Sequence, residues 1–155
     1  MKKRVCVAAL GVWVLTVATL AWLFVAGWTR AGTDGRQEII LAQVERDQIL
    51  AEMRILLKAV HGVVTGLSGP AEDLHQAEQA ARAAGMKMAA DTSPTIMAKL
   101  PLPFKQMGMS IHRDMDALAD AVVQKEAPQR LLLRLSNMTA RCTTCHDLYR
   151  FSAEH

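Results

Sequence analysis

Two thiols and an imidazole stand together near the C-terminus, in Cys142-Thr143-Thr144-Cys145-His146. On a helix these three side chains occupy positions i, i+3 and i+4 and share one face. Thiols at that spacing can add across the two vinyl groups of a haem while the neighbouring imidazole binds the iron, which is the c-type attachment chemistry. A closed zinc site would need a fourth protein ligand, and His61, His75, His112 and His155 are scattered with no second Cys/His pair at ligand spacing. A redox-active dithiol is expected in strand-helix-strand surroundings, which this chain does not suggest. Cys6 lies in an apolar N-terminal run, so Cys142 and Cys145 could pair only with each other and a disulfide framework is excluded. The expected cofactor is one covalent haem c, with His146 as proximal iron ligand.

The elements that must position these groups read as helices. From about residue 128, Leu131, Leu135, Met138, Cys142, Cys145 and Tyr149 recur at steps of three and four, which puts both cysteines on a core-facing seam. A third helix over about 104–125 turns Phe104, Met107, Ile111, Met115, Leu118 and Val122 inward. A connection over 91–103 is broken by Pro94, Pro101 and Pro103, with one helical turn capped by Ser93. Pro70 opens a second helix whose Leu74, Ala77, Ala81 and Ala84 form a narrow stripe that allows close approach. The first soluble helix is expected over about 34–67, with Leu50, Met53, Leu57, Val60, Val64 and Leu67 as its seam. Extending that seam backwards meets Gln43, Ile39 and the charged Arg46. Few strand formers occur, so the soluble part is expected to be all-α, an antiparallel four-helix bundle.

The N-terminus is of another kind. Val5 to Trp28 is a stretch of 24 residues without a charge, preceded by Lys2-Lys3-Arg4. That length spans a bilayer as a helix. Thr29-Arg30-Ala31 is a poor cleavage site, so a retained single-pass anchor is favoured over a cleaved signal, with Trp22 and Trp28 at the far interface. The basic end stays in the cytoplasm, which puts the C-terminal domain in the periplasm, on the inner (cytoplasmic) membrane. The expected division is 1–30 signal-anchor or transmembrane helix, 31–36 linker, and 37–155 haem domain. Setting the three leading basic residues aside leaves 15 basic against 15 acidic residues, which removes the electrostatic case for nucleic-acid binding.

Arg141-Cys142-Thr143-Thr144-Cys145-His146-Asp147-Leu148-Tyr149-Arg150, closing an all-helical domain, resembles the C-terminal signature of the cytochrome c prime family, the class II c-type cytochromes. The resemblance implies a four-helix bundle, haem held by Cys142 and Cys145, His146 on the iron, and Arg150 near that imidazole. In the family an Arg precedes the distal position by four residues, so Arg46 points to Leu50, with Met53 one turn further on the same seam. Met53 as distal ligand would make a six-coordinate electron carrier, whereas Leu50 over the iron would leave a site for nitric oxide or carbon monoxide. Met107, Met109 and His112 of the third helix are the remaining distal candidates. Arg46 could contact a haem propionate, and Tyr149 could pack near the ring. The expected function is non-enzymatic: a membrane-tethered carrier of single electrons, serving redox protein partners or a membrane electron-transfer complex. The rivals are a five-coordinate gas-binding module and a haem-bearing structural subunit of a membrane complex. Pairing into a homodimer is compatible with the small-residue stripe but not required by it.

Overall fold

The computed structural model describes residues 2–68 and 73–153; the expected helix start at Pro70, and His155, lie outside them. Helix α1, Lys2–Ala26, is the one helix among the described residues long and apolar enough to cross a membrane, and none of its most apolar window is buried in the protein. It ends at Gly27, whose φ of +66° is the left-handed stop that glycine adopts most readily. The chain there is pressed against the backbone of Lys99, Leu100 and Pro101: a Cβ on Gly27 would come within 2.5–2.8 Å of their atoms.

Two short strands follow, β1 (Thr29–Ala31) and β2 (Gln37–Leu41), paired antiparallel with Arg30 opposite Glu38. Then come α2 (Gln43–Ser68), α3 (Leu74–Ala83), the single turn α4 (Met86–Ala89), α5 (Pro94–Lys99), α6 (Leu102–Val123) and α7 (Pro128–Leu148). A last strand, β3 (Tyr149–Ala153), adds in parallel to β2, giving the order β1-β2-β3. Ser93 caps α5 as expected, its hydroxyl accepting from the Thr95 N–H at 3.2 Å.

The sheet corrects two expectations. The fold is mostly helical but not all-α. Residues 31–36 hold the end of β1 and a tight turn, in which the Gly32 N–H donates to the Arg36 carbonyl at 2.8 Å and the Asp34 carboxylate accepts from the Arg36 N–H at 3.2 Å. The first soluble helix starts at Gln43, not near residue 34, and the haem-motif helix stops at Leu148, so Tyr149 and Arg150 belong to β3. A short run such as Ile39-Ile40-Leu41 fits a buried strand and a helical seam equally well, and pairing over a long sequence separation decides between them.

Helix α2 packs on α3, α3 on α6, and α6 on α7, whereas α2 and α7 scarcely touch. The α2–α3 contact is close: a Cβ on Gly66 would lie 2.8 Å from the Asp73 carbonyl and 2.9 Å from the Ala77 nitrogen. Ala77, Ala81 and Ala84 are fully buried there, as the small-residue stripe requires. The apolar interior falls into two clusters. One joins α2, α3, α6 and α7 around Val63, Met115, Leu131 and Met138; the other lies by the sheet, around Ile39, Leu41, Ile49, Ile96, Leu100 and Phe104.

Candidate functional site

Cys142, Cys145 and His146 lie in the last two turns of α7, which stays helical to Leu148 and closes with the Tyr149 N–H on the Cys145 carbonyl. The hydroxyls of Thr143 and Thr144 fold back onto the Ala140 carbonyl at 2.8 and 2.9 Å, so the two intervening residues satisfy themselves on their own helix. Both cysteines are free thiols and half-buried. Burial pushes the Cys142 thiol up, and burial with the neighbouring Cys142 pushes Cys145 up to about 11. Among the described residues no group of three or more His, Cys, Asp or Glu side chains is placed to hold a metal ion, which a closed zinc site would need.

All three motif residues line a cavity of about 610 Å³ in the gap between α2 and α7. Cys142 packs against the first apolar cluster and Cys145 against the second, so the motif straddles the seam between them. The opposite wall is α2, through Leu50, Met53, Leu57 and Val60. That is the seam read from the sequence, but its partner is the cavity: Leu57 is 69% exposed, while the residues α2 buries against protein are Ile49, Ala59, Val63, Gly66 and Leu67. Helix α6 closes the cavity with Phe104, Met109, Ile111 and Met115, and Met97 and Leu100 flank it. A site of this size with almost wholly apolar walls is of the kind that takes up an organic cofactor or ligand.

Of the sequence-derived candidates, the structure thus brings Cys142, Cys145, His146, Leu50 and Met53 to one cavity, together with Met109 and His112. Arg46 sits half-buried in the first turn of α2 and Met107 half-buried on α6, and neither lines it. Tyr149 packs edge-to-face on Phe104, with ring centroids 5.4 Å apart, in the cluster beside the sheet. The Arg150 guanidinium pairs with Glu38 and, at 3.3 Å, with Asp34, which ties it to the sheet. The element that does reach His146 is the β1–β2 turn, where the Arg36 guanidinium donates to the His146 carbonyl at 3.3 Å.

The cavity also carries polar groups that the sequence did not single out as a set: Glu52 on α2, Thr92 before α5, and His112 on α6. Glu52 accepts from Thr92 at 3.4 Å, and its burial raises its pKa. His112 is 7% exposed, and its Nδ1 lies 2.8 Å from the Ala84 carbonyl. Two cations, Arg54 and Lys105, complete the rim. Lys105 is itself buried, its ammonium donating to the Phe24 carbonyl at 3.0 Å and sitting 3.8 Å over the Phe24 ring. No periodicity links these five residues, since they come from three elements and lie off the apolar seams.

Comparison with models of known families, with curated proteins and with solved structures finds no match to this chain.

Proposed function

We propose that this chain is a membrane-anchored monohaem cytochrome of the class II c type, which passes single electrons between redox partners on the periplasmic side of the inner membrane. The observation that carries the reading is the placement of Cys142, Cys145 and His146 along one edge of an apolar cavity of about 610 Å³. The cavity lies within the roughly 300–1,000 Å³ usual for cofactor sites. The donor set suits haem c: two thiols for the vinyl groups and one imidazole for the iron. The apolar seam of Leu50, Met53, Leu57 and Val60, of which Leu57 is exposed, would lie against such a ring and keep water from it.

On this reading α2, α3, α6 and α7 are a four-helix bundle opened along the α2/α7 side, where the cofactor takes the place of helix-to-helix packing. Bound haem supplies a one-electron couple whose potential is set by its axial ligands and its burial. The residues of the chain hold it and keep water away. Cys142 and Cys145 would anchor it, His146 would ligate it, and Arg54 on the cavity wall would offer a cation for its carboxylates. The retained anchor is supported by Gly27 and Trp28, which are built into the domain: the Trp28 N–H donates to the Lys99 carbonyl at 2.7 Å and its carbonyl accepts from Ile40 at 2.9 Å. Cleavage after Ala31 would remove β1 altogether.

Redox titration of the purified, detergent-solubilised chain tests the function. A carrier gives one reversible one-electron wave and a reduced form inert to carbon monoxide. A high-spin reduced form that binds carbon monoxide would instead support the gas-binding reading, which Leu50 and Leu57 on the cavity wall favour.

A further inference from the structure

We infer that His112 is the second axial ligand of the bound cofactor, so that the iron is held between two imidazoles, one from α7 and one from α6. The inference rests on the haem reading and deepens it. Its basis is the setting of His112 itself. The side chain is over nine-tenths buried in a helix that, Lys105 apart, turns apolar residues inward, and a polar ring is costly to bury without a use for both nitrogens. One nitrogen is accounted for. Nδ1 faces the Ala84 carbonyl at 2.8 Å, and because a carbonyl only accepts, Nδ1 must carry the proton. In the neutral ring Nε2 is then an unprotonated base, and His112 lines the same cavity as His146. An imidazole oriented by a backbone carbonyl on one nitrogen, with the other free, is the usual arrangement of a metal-binding histidine.

The competing ligand, Met53, has no comparable preparation. It is half-buried, it packs on the cluster around Ile49 and Phe104, and filling irregular apolar space is what methionine does readily. With its tautomer set in this way, Nε2 cannot donate a hydrogen bond to a molecule bound at the iron, which separates ligation from the role a gas-binding site would ask of it.

The simplest rival is that His112 only satisfies the carbonyl of Ala84, the residue that caps the C-terminus of α3. His112→Asn tests this, since the Asn amide can still donate to the Ala84 carbonyl from the Nδ1 position while nothing replaces Nε2. The measurement is the electron paramagnetic resonance and near-infrared charge-transfer spectrum of the full-length ferric protein, made in a host that attaches haem c, for the wild type, His112→Asn and Met53→Leu. The expected wild-type signature is low-spin with two imidazoles, unchanged by Met53→Leu and lost in His112→Asn, which keeps covalent haem and gains carbon monoxide binding on reduction. A thioether or high-spin signature in the wild type, or an unchanged spectrum in His112→Asn, would overturn the inference while leaving the haem reading intact. Wild type purified without covalent haem would overturn both. Should His112→Asn fail to fold, the wild-type spectrum decides alone.

Discussion

Cys142 and Cys145 differ in surroundings although they share a helix face: one leans on the bundle cluster and the other on the cluster beside the sheet. Losing either thiol therefore should leave the cofactor held by the remaining thioether and by His146. Cys142→Ala or Cys145→Ala is expected to retain haem on a denaturing gel through a single bond, with reduced yield, and the double variant to retain none; covalent haem in the double variant would contradict the motif reading. In protein made without haem, Cys145, with its pKa raised to about 11, should be the slower of the two thiols toward iodoacetamide near neutral pH. Peptide mapping after timed alkylation checks this, and preferential labelling of Cys145 would contradict it. At this scale the motif was fully legible in the sequence. Glu52, Thr92 and Arg54 were not, and His112 stood only as one of several distal candidates, because a residue off the apolar seam acquires meaning only when folding brings three elements to one cavity.

Among the elements, the α2–α3 pair and the sheet make separate demands. At Gly66 the nearest neighbours of an added methyl are backbone atoms of Asp73 and Ala77, which cannot swing aside as a side chain could. Gly66→Ala should therefore force the helices apart and cost about 1–3 kcal/mol, read by denaturant unfolding, despite the better helix propensity of alanine. The sheet is held from outside by Arg30, Arg150 and Arg36 on Glu38 and Asp34. Arg36, above all, holds the Asp34 carboxyl at about 2, and Arg30 with Arg150 lowers that of Glu38. Both are lowered in the folded state, so their contribution is present above the ordinary carboxylate range and is lost as pH falls through the folded values. Protection of the β3 amides, taken relative to their intrinsic exchange at each pH, is expected to fall between about pH 4 and about pH 2, ahead of protection in α6. Uniform protection across that range would mean that backbone pairing alone secures the strand. The helices were legible because their seams are long and regular. The strands were not: they span three to five residues, and β2 and β3 become neighbours only when the two ends of the domain meet.

Taken whole, the molecule ties its long apolar N-terminal helix into its cavity-bearing domain. Trp28 lies under the Lys99 ammonium at 5.2 Å, Lys105 reaches back to Phe24, and Ile39 and Leu41 of the strand after the hairpin are fully buried. If α1 spans a bilayer as proposed, this junction would hold the cavity in a set relation to it and favour a partner in the same membrane, where a flexible tether would let the domain search for soluble partners. The mature chain is expected to fractionate with membranes and to begin at Met1 or Lys2; a soluble form beginning near Gly32 would show instead that residues 1–30 are a cleaved signal.

The central claim is covalent attachment of one haem at a cavity edge built by Cys142, Cys145 and His146. Intact-mass measurement of the chain produced with haem-attachment machinery tests it most directly. The expected result is a single species at the polypeptide mass plus one haem, with the added mass on the peptide that contains Cys142 and Cys145. A bare polypeptide mass, with both thiols free or joined to each other, would contradict it.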